Sequence, residues 1–329
     1  MKKDFCLFLA GLGKAYYETI EKILDNMDLS IRIGGLVSYL DNKKILDNLV
    51  EFRKNFNDNE FNIMLDSGAF TYNMAHYKMS SGVEITGNRY KSVVSSIQNN
   101  KIEEYLDKYV NYVRDNDWDF YVELDIQPVV GADLVLKWRE KWKNNDLEPF
   151  LVYHGEDDEY IREMCYDSSR TGIGGDAVDT KVYTGKKFGR NKKITAAQKI
   201  RKIKKENWIH WFGIFDVKFT SKLLQLELVN SIDATSWIRS RFGKTYIITN
   251  NRLMDLHIGK KAAQVNLKRF YDFINQNKND LYDIGINIDD LKNRKNNELD
   301  KLSIYSLVTY YNRIYEQRKG KQNSILDWF

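Results

Sequence analysis

Short apolar runs rich in β-branched and aromatic residues recur along the first three quarters of the chain, each ending at or beside Gly, Asp, Ser or His. They are Phe5–Ala10, Ile33–Tyr39, Phe61–Leu65, Phe120–Leu124, Phe150–Tyr153, Thr171–Gly174, Ile209–Ile214 and Val229–Ile232. Between them lie stretches with helical spacing, such as Ile102, Tyr105, Leu106, Tyr109, Val110 and Val113, which recur at steps of three and four. Strands alternating with helices predict right-handed βαβ units and a parallel sheet. Eight such strands predict an α/β fold of the (β/α)8, TIM-like barrel type, with a doubly wound open sheet as the alternative. The only prolines, Pro128 and Pro149, sit at proposed strand edges, where a missing N–H is tolerated. After about Asn250 the strand signals stop. Lys260–Gln276 and Leu302–Gln317 read as amphipathic helices, and the Asn-, Asp- and Lys-rich segment 277–300 reads as a polar connection. The expected organisation is therefore a barrel over residues 1–250 and a helical extension over 251–329 packed on it.

Composition narrows the class. A hydrophobic content of 43%, with 13% aromatic residues, is enough to fill a core, so a disordered chain is not expected. No run approaches the roughly 18 to 20 apolar residues of a membrane helix, and no small-residue cleavage site follows the short apolar stretch near the N-terminus, which predicts a cytoplasmic protein without a membrane partner. Cys6 and Cys165 are the only cysteines, so neither a disulfide framework nor a cysteine-rich zinc site is available, and no metal or cofactor is expected. The net charge of +5 is unevenly spread: between Lys181 and Lys205 there are eleven Lys or Arg residues and no Asp or Glu. Such a run suits a polyanion partner; the alternative is a solvated helix face that aids solubility. Thr195-Ala196-Ala197-Gln198 reads as a capping box opening a short helix. Ile200 and Ile203 would then face the body, leaving Lys199, Arg201, Lys202, Lys204 and Lys205 to solvent.

Candidate chemistry collects at strand ends. Asp66 opens Asp66-Ser67-Gly68-Ala69-Phe70 directly after Ile63-Met64-Leu65, Asp125 ends a second strand, and Asp233 follows a third. Carboxylates at the C-terminal ends of barrel strands face the mouth where such folds keep their active sites. Any one of them alone reads as a turn or helix-cap residue; agreement among the three carries the functional reading. His154, in His154-Gly155-Glu156, ends another proposed strand and is the best placed of the four histidines, either as a capped-turn residue or as a substrate contact. Gly172-Ile173-Gly174-Gly175 lacks a full dinucleotide fingerprint, and its physical use is close approach of bare backbone to a flat ligand.

Read in order over residues 4 to 245, these motifs resemble the tRNA-guanine transglycosylase superfamily, and within it the phage-type DNA 7-deazaguanine transglycosylases, the DpdA-like branch. The resemblance is carried by Phe8-Leu9-Ala10-Gly11, Ser38-Tyr39, Asp66-Ser67-Gly68-Ala69-Phe70, Asp125, His154-Gly155, Ile173-Gly174-Gly175, Phe212-Gly213-Ile214 and Asp233. It implies that Asp233 is the nucleophile and that Asp66 stands beside the reacting sugar. Asp125 would read the guanine edge, with Ser67, Phe70, His154, Gly174 and Gly175 around the base. His154 stands where the family has Gln, and Ala69 where it has a second glycine. Arg239 and Arg241 extend the stretch after the nucleophile. The family's tRNA enzymes carry a zinc site of three cysteines and a histidine; two isolated cysteines and His257 cannot build it.

The resemblance implies base exchange by double displacement through a covalent aspartyl-sugar intermediate, with a free 7-deazaguanine base as the incoming group. DNA is the favoured polymer and tRNA the alternative, and accessory proteins are left open. Phe70, Tyr153 and Trp237 are available either to stack on a base or to pack the core. Two other classes fit the same residues: a barrel nucleosidase or glycoside hydrolase with water as acceptor, and a non-catalytic nucleic-acid-binding relative.

Overall fold

The structure is a computed structural model and describes residues 4–174, 189–214, 216–234, 237–238 and 240–326. Its centre is an eight-stranded parallel sheet of β1 (Cys6–Ala10), β2 (Arg32–Ser38), β3 (Phe61–Asp66), β4 (Phe120–Tyr121), β5 (Leu151–Tyr153), β6 (Arg170–Ile173), β7 (Trp208–Trp211) and β8 (Ser231–Ala234). All eight fall on the expected apolar runs. The strand order is β4-β3-β2-β1-β8-β7-β6-β5. The sheet curls until its edge strands meet at one parallel bridge, Val122 to Phe150. There Phe150 N–H donates to the Tyr121 carbonyl (2.8 Å) and Glu123 N–H to the Phe150 carbonyl (3.0 Å).

The two-residue period of a strand sorts its side chains onto two faces. On β1, Phe5, Leu7 and Leu9 join the large outer core beneath the helices, whereas Cys6 and Phe8 join a separate inner cluster with Met64, Phe120, Val122, Phe150 and Val152. Within the curl, rings from different strands touch: Phe8 to Phe120 at 5.8 Å, Phe120 to Phe150 at 5.7 Å and Phe150 to His210 at 5.6 Å between centroids. Burying each such ring contributes about 1.5–3 kcal/mol. Gly34 makes room for this layer, since a Cβ there would lie 2.5 Å from the Phe8 ring.

Helices Tyr17–Asn26, Lys43–Arg53, Ile102–Arg114, Ala132–Lys143, Asp158–Asp167, Arg190–Ile203 and Val217–Gln225 lie between successive strands. The β3-to-β4 connection carries two further helices, Ala69–Ser80 and Asn88–Gln98, ahead of Ile102–Arg114. Among the described residues no helix is long and apolar enough to cross a membrane.

Three sequence expectations fail beyond the sheet. Strands do not stop at about Asn250: Arg252–His257 (β10) pairs antiparallel with Lys244–Thr249 (β9) across a turn in which Asn250 and Asn251 take positive φ. The segment 277–300 is not a polar connection: it forms helices Lys278–Asp283 and Ile288–Lys292, and Leu281, Ile284, Ile286, Leu291 and Leu299 are buried. The last helix, Asn296–Leu326, begins before the expected Leu302 and packs on β9. It also reaches β1, where Tyr311 and Tyr315 each lie 6.1 Å from the Phe5 ring.

Candidate active site

The inward phase of each strand decides which side chains reach the C-terminal end of the curled sheet. On β3 that phase runs from Met64 to Asp66, on β7 from Trp208 through His210 to Phe212, and on β8 from Ser231 to Asp233. Asp233 therefore lies within its strand, not after it as the apolar run suggested. Its side chain is 13% exposed. Its Oδ1 accepts a 2.7 Å hydrogen bond from the Gly213 N–H, while among the described residues nothing hydrogen-bonds Oδ2. Gly213 reaches this position at a φ of 62°, in the left-handed region that favours glycine.

Asp66 ends β3, and its Oδ2 accepts from the Gly68 N–H at 3.1 Å. Gly68, at φ 83°, caps the following helix and turns the chain away from the strand. The turn is fixed from behind: Tyr105 donates to the carbonyl of fully buried Ser67 at 2.6 Å, and Tyr109 donates to the carbonyls of Leu65 and Val122 at 3.2 and 2.8 Å. Phe70, in the first turn of that helix, is 43% exposed and so is open to a ligand.

Asp125 does not end a strand as expected; β4 stops at Tyr121, and Asp125 lies in the irregular segment beyond it. It is 3% exposed. The carboxylate Oδ2 is bonded to His154 Nε2, the Asn73 amide donates to the Asp125 carbonyl at 3.1 Å, and Oδ1 is buried with no partner. Beneath this segment Arg139 clasps Glu123 with two bonds of 2.9 and 3.0 Å and donates to the Tyr160 hydroxyl at 2.7 Å. Burial pushes the Glu123 carboxyl up, against the pull of Arg139. Burial alone would depress the His154 imidazolium, but the neighbouring Asp125, with Glu156 and Glu123 beyond it, holds its pKa above the usual 6.5.

The glycines of β6 serve the protein's own rings. A Cβ on Gly172 would lie 2.4 Å from the Phe212 ring, and one on Gly174 would lie 2.4 Å from His154 Nδ1. At Gly172 and Gly174 the absence of a side chain leaves room for the Phe212 ring and for His154; Gly175 lies outside the described residues. Tyr153 and Trp237 are core residues. Tyr153 donates to the Glu156 carbonyl at 2.6 Å, and fully buried Trp237 donates to the Ala10 carbonyl at 3.2 Å.

The basic segment also departs from its reading. Its helix begins at Arg190, capped by Gly189 without a side-chain bond, and Thr195 lies inside it with its hydroxyl donating to the Asn191 carbonyl. The proposed capping box fails because helical geometry extends one full turn upstream. Lys199 pairs with Asp158 at 2.6 Å and Lys204 donates to the Cys165 carbonyl at 3.4 Å. Arg201 is bonded to the carbonyls of Glu227, Lys205 and Asn207 and to the Asn230 side chain, so it ties the helix to the body instead of facing solvent. Lys202 and Lys205 are exposed. A cavity of about 340 Å³ lined by Gly155, Glu156, Asn191, Lys192 and Lys199 lies between this helix and the His154 turn. Arg241 follows β8 and stacks at 4.8 Å on Phe242, itself 61% exposed; Arg239 lies outside the described residues.

The structure thus brings Asp66, Asp125, His154 and Asp233 to the same end of one sheet. Sequence reasoning missed Asn73, Arg139 and His210. Two-residue phasing from Phe212 was the one signal that pointed to His210. Searches against known protein families and against curated proteins find no match for this chain.

Proposed function

We propose that the protein is a nucleic-acid guanine transglycosylase of the (β/α)8 type, exchanging guanine in DNA for a 7-deazaguanine base. The observation that carries this reading is Asp233. One carboxylate oxygen is fixed by the Gly213 N–H, the other has no hydrogen bond among the described residues, and two further aspartates stand at the same sheet end. A fixed, half-free carboxylate is what nucleophilic attack on a sugar carbon requires.

In the proposed reaction Asp233 Oδ2 attacks C1′, the C1′–N9 bond breaks, and its electron pair leaves with guanine, which takes a proton from the Asp66 carboxyl. The incoming 7-deazaguanine returns a proton to Asp66 as its N9 displaces the ester, so configuration at C1′ is retained over two inversions. Asp125 Oδ1 accepts from the N1–H and amino edge of the base, and an unpaired buried acceptor opposite adenine gives selectivity. Phe70 and the Arg241–Phe242 stack are exposed surfaces suited to bases, and Lys202 and Lys205 suit the phosphate backbone. A guanine in duplex DNA must leave the stack to reach this end of the sheet.

The test is incubation of the protein with DNA or tRNA and labelled guanine or a 7-deazaguanine base, followed by denaturing gels for a covalent adduct. Incorporation of label into DNA without net base loss is expected. Base release without incorporation would make the protein a hydrolase, incorporation into tRNA alone would change the polymer, and binding without either reaction would leave a non-catalytic relative.

A further inference from the structure

Behind Asp233 lies a buried polar chain that base exchange as described above does not use. The indole N–H of Trp208 donates to Ser231 Oγ at 2.8 Å, and Ser231 Oγ lies 2.8 Å from His210 Nδ1. The imidazole is fully buried, with Phe8, Phe150 and Phe212 rings at 5.9, 5.6 and 4.3 Å, and its Nε2 lies 3.3 Å from Asp233 Oδ1. That approach is within hydrogen-bonding distance but too poorly aligned to form the bond, which leaves Nε2 a buried polar atom without a hydrogen-bond partner among the described residues. Such bonds are commonly long in unliganded enzymes and tighten when the site is filled.

The chain can hold the ring proton on Nε2, because Ser231 Oγ has a hydrogen to give as well as lone pairs to accept with. Ser231 Oγ already accepts from Trp208, and a hydroxyl has a single hydrogen to give. Donated to His210 Nδ1, that hydrogen makes Nδ1 an acceptor and leaves the ring proton on Nε2, pointing at Asp233. All four residues lie on β7 and β8, and three of them, Trp208, His210 and Ser231, are placed by the same inward phase that places Asp233.

We infer that His210 is a positioning residue for Asp233, its Nε2–H and the Gly213 N–H together holding Oδ1 so that Oδ2 alone faces the substrate. The inference rests on the reading of Asp233 as nucleophile. A buried imidazole in an aromatic layer is otherwise a poor choice for packing, since an apolar side chain would fill the same space without a polar atom to satisfy.

The experiment has two arms. In the first, ring ¹⁵N spectra of the histidine-labelled full chain, assigned with His210→Gln, locate the His210 proton in the wild type and in Asp233→Ala. A proton on Nε2 whose nitrogen shift moves when Asp233 is removed is expected; a proton on Nδ1 alone, or a spectrum indifferent to Asp233→Ala, would overturn the proposal. In the second, exchange kinetics are compared for the wild type, His210→Met and His210→Gln, with Ser231→Ala as a variant that keeps the imidazole. His210→Met should lower kcat about ten- to a hundred-fold, the scale of one hydrogen bond to a charged group, with KM little changed. His210→Gln, which can donate from a similar place, should recover most of the loss, and Ser231→Ala should fall between. His210→Met kinetics superimposable on the wild type would sink the positioning role. Wild-type inactivity on every substrate would count instead against Asp233 as nucleophile, while the spectra still decide whether His210 bonds Asp233.

Discussion

The two ends of the curled sheet handle charge in opposite ways. At the N-terminal ends of the strands the charged groups, Arg32, Arg53, Arg170 and Asp119, are engaged with rings, carbonyls and one another. Arg32 lies 4.5 Å over the Trp208 ring and donates to buried Asn62, and Arg170 stacks 5.1 Å from Phe120 and donates to the carbonyls of Asp119 and Glu148. Asp119 in turn pairs with Arg53 at 2.7 Å and accepts from the Ile63 N–H. At the C-terminal ends the charged groups are carboxylates, and Asp125 and Asp233 each keep an oxygen without a hydrogen bond among the described residues. One end commits its charged groups to rings, carbonyls and ion pairs of the fold, although Arg32 Nε and Nη2 are buried without a hydrogen bond among the described residues; the other leaves carboxylate oxygens without a bond. In barrels that division separates stability from chemistry.

The comparison predicts that substitutions at one end change activity with little effect on folding, and the reverse at the other. The largest effect is expected for Asp233→Asn, which keeps the acceptor for the Gly213 N–H but is a poor nucleophile. Exchange should fall by roughly 10⁴-fold or more, as for other single nucleophile-site deletions, with no adduct and a nearly unchanged melting temperature. Retained exchange would place the nucleophile elsewhere. Asp66→Asn should slow exchange by about 10² to 10⁴ through lost proton transfer, while still allowing some adduct to be trapped; a variant as fast as the wild type would remove that role.

At the opposite end, Arg32→Met removes the donor to Asn62 and leaves a buried amide oxygen short of a partner. A loss of about 1–3 kcal/mol in denaturant unfolding is expected, with the activity of the remaining folded protein unchanged. Activity that fell with Arg32 while stability held would erase the contrast between the ends.

Two smaller effects sharpen the picture. His154 has a folded-state pKa above 6.5, so its pairing with Asp125 stabilises the fold fully below the unfolded value and fades as pH rises through the folded one. The burial-raised Glu123 and Glu156 carboxyls, which flank it, act in the same direction. The melting-temperature difference between wild type and His154→Gln should therefore be widest below pH 6.5 and shrink as pH rises past it; a difference independent of pH would mean that His154 is not ionised by Asp125. Finally, Lys202→Ala with Lys205→Ala should flatten the dependence of log affinity on log salt by about 0.7 to 0.9 for each phosphate that is no longer neutralised. An unchanged slope would reduce those lysines to a solvated face.

Much of this was legible in the chain, for a definite reason. Parallel strands buried on both faces read as nearly continuous apolar runs, so all eight stand out against their helices. The hairpin β9–β10 escaped because β10 is only half-buried, with Arg252, Asp255 and His257 among its residues. Segment 277–300 misled because its few apolar residues are outnumbered by Asn, Asp and Lys, yet Leu281, Ile284, Ile286, Leu291 and Leu299 all point inward. For the site, the strand-end carboxylates were visible, but their partners were not. That His154 would take one oxygen of Asp125, and that Arg201 would be consumed by backbone carbonyls, depends on contacts between segments far apart in sequence.

The position of β1 also bears on how the protein is made. Cys6 pairs with Arg32 on one side and with Ser231 on the other, and the Asp4 N–H reaches the hydroxyl of Tyr315. On a ribosome the first of these pairings forms soon after the segment emerges, but the other edge of β1 waits for nearly all of the sheet to be synthesised. Until then the chain carries an apolar strand with an unpaired edge, the kind of surface that chaperones cover and that otherwise associates with its own copies. Enclosure of β1 thus comes late, when the first strand of the sheet is joined by the last one and by the helix beyond it.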